Sequence, residues 1–330
     1  MLAEAQSEGL QKTLGVVDLI MLGVGAIIGS GIFAVVGIAA AGSADGTSLG
    51  AGPGLTVSMI IAAIACVFSA LCYSEFATMI PVAGGAYTYT FATLGEFAAW
   101  MVGWVLMLEY AIGFIAVACA WANHLVEFLG GFAHILPAWI AKPPVWLVND
   151  VFTAASIKAS NPDVYIPTIL GVPICINLPA ILIVLLITAI LVKGTKDSAK
   201  LAGVMVFVKL GVIALFVLTG AFFVTPDNWT PFAPNGVEGI FAGAFIIFFA
   251  YIGFDALATA AEECKNPQKD LPIGILGSLI ITTIVYILVA VVLTGIQDTS
   301  GAVPTEFLKA PLAFCMSKIG QNWAAGFISI

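Results

Sequence analysis

Gly23-Val24-Gly25-Ala26-Ile27-Ile28-Gly29-Ser30-Gly31-Ile32-Phe33 sets four glycines in the middle of an apolar run that is long enough to cross a bilayer. Glycine is the poorest helix former after proline, so a helix through residues 17–41 is expected to unwind near Gly29 to Gly31. A second stretch, Phe248-Phe249-Ala250-Tyr251-Ile252-Gly253-Phe254-Asp255, repeats the arrangement: a glycine and then a carboxylate stand in the middle of an apolar run. An interruption is expected there too, between Ala250 and Gly253.

The surrounding composition fixes the solvent. Of 330 residues, 61% are hydrophobic and 9% are charged, whereas a soluble domain carries about 25% charged residues. No water-facing surface can be built from so few charges. Mean hydropathy is +1.10 and there are 34 glycines, in keeping with helices that pack closely through small residues in lipid. About 20 apolar residues span the roughly 30 Å hydrocarbon layer. Seven complete runs of that kind are predicted, at 17–41, 54–80, 97–129, 177–193, 200–225, 237–261 and 272–296. An eighth begins near Pro311 and is still apolar at Ile330, so it reads as cut short. Residues 130–177 form a long polar, proline-rich connection with room for a short helix. Lysines cluster at one set of span ends (Lys12, Lys193, Lys196, Lys200, Lys265, Lys269), which places the N-terminal segment, residues 1–16, in the cytoplasm of a cell-membrane protein.

The two glycine-interrupted runs are the first and the sixth, five spans apart. An odd offset reverses the orientation of a repeat, so the two breaks should face each other about a pseudo-two-fold axis in the membrane plane. The expected fold is therefore an all-α integral membrane protein of the inverted-repeat (5+5) secondary transporter type. Residues 17–225 would form the first five-helix repeat and residues 237–330 part of the second.

Unwinding a helix frees N–H groups at the start of the following half and C=O groups at the end of the preceding one, and hydrocarbon satisfies neither. A zwitterion satisfies both. The amides of Gly29, Ser30 and Gly31 suit a carboxylate, and the carbonyls around Ile27, Phe249, Ala250 and Ile252 suit an ammonium. The glycines taken alone also fit plain helix packing, since Gly25 and Gly29 form a GxxxG pair. A dinucleotide fingerprint is excluded, because the spacing is wrong and no strand precedes it. Backbone approach at Gly31 leads to the expectation that a leucine there abolishes substrate binding and spares membrane insertion.

Gly25-Ala26-Ile27-Ile28-Gly29-Ser30-Gly31-Ile32-Phe33 resembles the first-span motif of the amino acid, polyamine and organocation transporter superfamily. Pro81-Val82-Ala83-Gly84-Gly85-Ala86-Tyr87-Thr88-Tyr89 and Ala261-Glu262-Glu263-Cys264-Lys265-Asn266-Pro267-Gln268-Lys269-Asp270-Leu271-Pro272-Ile273-Gly274 narrow the resemblance to its cationic amino acid transporter branch, of bacterial type. The resemblance implies ten core spans in two inverted repeats, substrate held at the two unwound centres, and Phe249 as a gate over the substrate. It also implies that a fifth-span lysine, here Lys209, stands where sodium-coupled relatives hold an ion. Proton-coupled uptake of a small amino acid follows from it, with exchange or non-transporting sensing on the same scaffold as alternatives.

Lys209 is the one basic residue in mid-run among the seven complete spans. A proton switch bonded to first-span carbonyls near Ala26 and a permanently charged structural lysine both fit that position. Glu109, deep in the third run, resembles a cavity glutamate of the family. From the residues alone it is either a titrating carboxylate or an interhelical hydrogen-bond partner. Glu75 and Asp255 lie near span ends and take structural roles. His124, His134 and the scattered cysteines lack metal-ligand spacing, so no metal or other cofactor is expected. The tryptophans read as interfacial anchors, and the sequon at Asn228 as chance. Net charge is -8 with no arginine, which leaves a nucleic-acid partner nothing to bind. No nucleophile and base pair is placed for enzymatic work. The expected partners are the bilayer, an amino acid and protons. The identity of the amino acid's side chain, and any protein partner, cannot be read from these residues.

Overall fold

In the computed structural model, residues 12–43, 46–131, 136–169, 172–193 and 195–328 are described. His134, the first part of the N-terminal segment and the side chains of Lys193, Lys196 and Lys200 lie outside that description. The regular elements of the described chain are helices and one short hairpin, Thr168–Ile169 (β1) with Val172–Pro173 (β2). It divides into two compact units, one made of residues 1–107 and 202–325 and the other of 108–201 and 326–330.

In the first unit the chain begins with helix α1, Val16–Ile27, followed by a wider turn over Gly31–Val35 and then α2, Val36–Ala41. Helices α3 (Leu55–Met79) and α4 (Gly85–Leu94) come next. Helix α5 is Glu96–Gly131, and its first part belongs to this unit.

The second unit holds α6 (Ala138–Ala141), α7 (Val145–Val148), α8 (Val151–Ser160) and α9 (Leu178–Lys193). The connection predicted to have room for one short helix thus carries three and the hairpin. Helices α5 and α9 approach through Ala118, Ala122 and Ala180. An apolar cavity of about 390 Å³ in this unit is lined by Trp121, Leu125, Trp139, Leu147, Leu182 and Leu186 among others.

Helix α10 (Thr195–Gly220) leads back into the first unit, which continues with α11 (Gly236–Tyr251), α12 (Ala256–Thr259) and α13 (Pro267–Ile296). It ends with α14 (Thr305–Lys309) and α15 (Pro311–Lys318), and α16 is Asn322–Ile328.

Five of the described helical stretches are long and apolar enough to cross a membrane, and the bent pair Val16–Ile27 with Gly31–Ala41 makes a sixth. The fourth predicted run differs. Helix α9 has 16 residues and reaches roughly 24 Å, short of the roughly 30 Å hydrocarbon layer. Outward faces are apolar, with Phe207, Leu218 and Phe245 mostly exposed, as a lipid solvent requires.

The core of the first unit lies where α13 packs on α1 and α3, and α11 on α3. Leu19, Ile27, Leu55, Met59, Ile247, Leu271, Ile275 and Tyr286 are fully or almost fully buried there. Small residues set the approach of these helices. A Cβ on Gly23 would lie 2.5 Å from Ser278 Oγ, and one on Gly274 would lie 2.8 Å from Leu19 Cβ. Since lipid offers hydrophobic helices no reason to leave it, such close van der Waals packing carries much of their association. Within this unit α13 and α11 pack on helices from the first part of the chain.

Candidate functional site

The first break lies at Ile28, Gly29 and Ser30. Ile28 is extended, at φ -71° and ψ 102°, although its N–H still donates to Val24 O. Beyond Ser30 the chain rewinds with a wide turn in which Val36 N–H reaches Gly31 O, and the two halves are bent by 43°. The amides of Gly29, Ser30 and Gly31 thus open the second half, where N–H groups have no carbonyl one turn back. The second break follows Tyr251. Ile252 is extended and its N–H makes a long 3.4 Å contact to Phe249 O, after which Gly253 takes φ 119°. Only glycine adopts that conformation without strain, and α12 starts three residues later.

The two breaks touch. A Cβ on Gly31 would stand 2.5 Å from Ala250 Cα, and one on Gly253 would stand 2.7 Å from Ala26 O. Of the predicted binding residues, Ile27, Gly31 and Ala250 are buried in this junction. Gly29 and Ser30 are half-buried, and Phe249 and Ile252 are exposed. Gly29 faces open space: the nearest atom to a Cβ there is Ile27 O, at 4.0 Å.

Donors from two other helices reach the freed carbonyls. Lys209, half-buried on α10, donates from Nζ to Gly25 O at 2.7 Å and Ile28 O at 2.6 Å. The ammonium therefore sits across the unwound turn rather than on Ala26 itself. Tyr286, fully buried on α13, donates from its hydroxyl toward Ile27 O at 3.1 Å and Ala250 O at 2.9 Å, one carbonyl from each break. Sequence reasoning did not single out Tyr286. A tyrosine inside an apolar run is ordinary, and its partners are main-chain atoms that leave no mark in the sequence. Glu109 is exposed on α5 and belongs to the second unit. Asp255 stands at the N-terminus of α12 and Glu75 is exposed near the end of α3.

The two motifs after the second and sixth runs meet at one end of the first unit. Ala83 N–H donates to Glu262 Oε1 at 2.9 Å. Nearby, Thr13 and Leu14 N–H both donate to Glu263 O, and Lys265 N–H donates to Leu14 O, each at 3.0 Å. The start of the described chain is thereby clamped to the segment after α12. In Glu262→Ala, hydrogen exchange at the Ala83 amide should speed up while Thr13 and Leu14, held by main-chain carbonyls, keep their protection. Equal exchange at Ala83 in both proteins would show that the carboxylate contact is not formed.

Compared with known proteins, residues 14–330 match the family described as amino acid permease. The chain is 40% identical over 328 residues to the methylthioribose transporter of Bacillus subtilis, covering 99% of this chain and 64% of that protein. It is 41% identical to the branched-chain amino acid permease BcaP of the same organism, over 99% of this chain and 63% of the permease. Cationic amino acid transporter 9, chloroplastic, of Arabidopsis thaliana is 38% identical over 98% of this chain and 51% of its own length. The chain thus spans less than two thirds of each of these relatives. Their names are those of transporters, not enzymes.

Proposed function

This chain belongs to the amino acid permease family, a family of multi-pass membrane proteins, and from that premise we propose that its protein takes up a small amino acid by secondary active transport coupled to protons. The substrate's carboxylate lies on the amides of Gly29, Ser30 and Gly31, and its ammonium lies on the carbonyls of Ile27, Phe249, Ala250 and Ile252. Lys209 carries the coupling proton. Glu109 lines the cavity or relays protons, and the chain contributes one inverted repeat and part of the second. The N-terminus is cytoplasmic and the protein resides in the cell membrane. Lys12 supports this orientation, since the pairing of Leu14 with Cys264 brings it to the lysine-bearing end at Lys265 and Lys269.

The observation that carries the proposal is the junction of two interrupted helices. Main-chain amides and carbonyls converge there, and the first break is held by a lysine ammonium. Uptake of labelled alanine by the full-length protein in vesicles, competed by a panel of amino acids, tests it. Competition by small amino acids is expected, and a panel in which none competes would overturn the amino acid assignment.

One observation favours a second substrate class. Two carbonyls at the first break already accept bonds from Lys209, and the Tyr286 hydroxyl occupies Ile27 O or Ala250 O in turn, which leaves fewer lone pairs for an ammonium. The methylthioribose transporter is also among the similar proteins. Methylthioribose therefore belongs in the competition panel, and its competing where amino acids fail would favour a neutral sugar thioether.

A further inference from the structure

We infer that Tyr286 is a positioning residue that aims the main-chain acceptors for the substrate's ammonium group. The inference rests on the proposed amino acid site and adds to it the residue that gives that site its geometry.

The Tyr286 hydroxyl has one proton and two carbonyl oxygens in reach, Ile27 O at 3.1 Å and Ala250 O at 2.9 Å. Both carbonyls belong to buried residues, one at the end of each first half-helix. Two oxygens that converge on one hydroxyl also converge on each other, so both breaks are registered to a single point. The hydroxyl serves one of the two oxygens at a time, and each carbonyl, with two lone pairs, keeps at least one for a further donor. A primary ammonium, with three N–H groups, can serve both at once.

The hydroxyl is itself fixed. The Tyr286 ring packs edge-on against Tyr251 with centroids 5.2 Å apart, and the Tyr251 hydroxyl donates to Met59 O at 3.3 Å. Helix α3 thereby backs α13 in holding the point where the two broken helices meet. Without the hydroxyl, the Ile27 and Ala250 carbonyls lose their shared donor and turn to separate partners. The cost then falls on the ligand group that uses both of them.

The test compares alanine with N,N-dimethylalanine, whose ammonium keeps one N–H and cannot bond two carbonyls. Their inhibition constants for labelled substrate are measured in the full-length protein. The wild type should prefer alanine, and Tyr286→Phe should reduce that preference about tenfold. Tyr251→Phe deletes the same atom from a hydroxyl that touches neither break, and it should keep the wild-type preference. A wild type indifferent to dimethylation would overturn the amino acid site itself, and the role of Tyr286 with it. A wild type that discriminates beside a Tyr286→Phe protein that discriminates equally would overturn the role of Tyr286 alone. So would an equal loss in Tyr251→Phe, which would mark the effect as general packing. Should Tyr286→Phe fail to accumulate in the membrane, 3-fluorotyrosine at 286 keeps the hydroxyl and gives a fluorine resonance. Saturating alanine should shift it, and an unmoved resonance with ligand bound overturns the inference.

Discussion

Lys209→Ala protein, reconstituted at full length, is expected to take up substrate without regard to a pH gradient, whereas uptake by the wild type is expected to be driven by acid outside and indifferent to sodium. The ammonium makes two short bonds, to Gly25 O and Ile28 O, on either side of the turn that fails to close. Hydrogen bonds to a charged donor are each worth about 1.5–3 kcal/mol, so the pair is large enough to decide which conformation of the break is populated. Burial penalises the charged form and these two bonds favour it, and a near balance of those effects is what a proton switch needs. On the proposed coupling, Lys209 with its proton on would pin the first break in its binding-competent shape, and loss of the proton toward the cytoplasm would release the carbonyls and the substrate with them. Lys209→Arg separates charge from titration, because guanidinium stays protonated: it should retain binding and lose the pH dependence. Uptake by Lys209→Ala that still follows the pH gradient, or wild-type uptake that requires sodium, would rule out this role.

The parts of the site that were legible in the sequence are those where a residue type is improbable for its surroundings. Four glycines in a membrane run announce a break, and it lies at Ile28 to Ser30, one residue earlier than expected. The second break was expected at Ala250 to Gly253. The helix instead holds through Tyr251 and the chain turns over Ile252 to Asp255, because Gly253 is the residue free to take a positive φ. A lone lysine in a run of leucine, valine and phenylalanine had to find acceptors, and broken-helix carbonyls are the acceptors a membrane protein has to offer. Tyr286 was hidden for the opposite reason, since nothing about a tyrosine in Ile284-Val285-Tyr286-Ile287 is improbable. The contact of Ala83 with Glu262 was equally hidden, because a carboxylate meeting a main-chain amide 179 residues away leaves no local pattern. Helix α9 was read as a span from its apolarity, and its described helix has 16 residues.

Gly31 and Gly29 are two residues apart, yet alanine at each should fail in a different way. Neither glycine has a positive φ, so the backbone accepts a side chain at both and only space decides. At Gly31 a Cβ would stand 2.5 Å from Ala250 Cα and 2.6 Å from its Cβ. The nearest obstacle is backbone, which cannot swing aside as a long side chain would. The two broken helices must separate, at the roughly 1–3 kcal/mol typical of an overpacked core, and by more for leucine. Gly31→Leu therefore has a second expected effect. Beyond blocking the ligand while sparing membrane insertion, it should disrupt the junction and lower the melting temperature. Gly29 is the better probe of the ligand, because a Cβ there meets nothing nearer than 4.0 Å. Gly29→Ala should melt as the wild type does and bind substrate at least about tenfold more weakly, since a methyl group stands where a carboxylate must approach the amide. Thermal melts with and without substrate read both effects at once. Wild-type affinity in Gly29→Ala would move the carboxylate away from this break, and wild-type stability in Gly31→Ala would mean that the two breaks do not pack as closely as the structure has them.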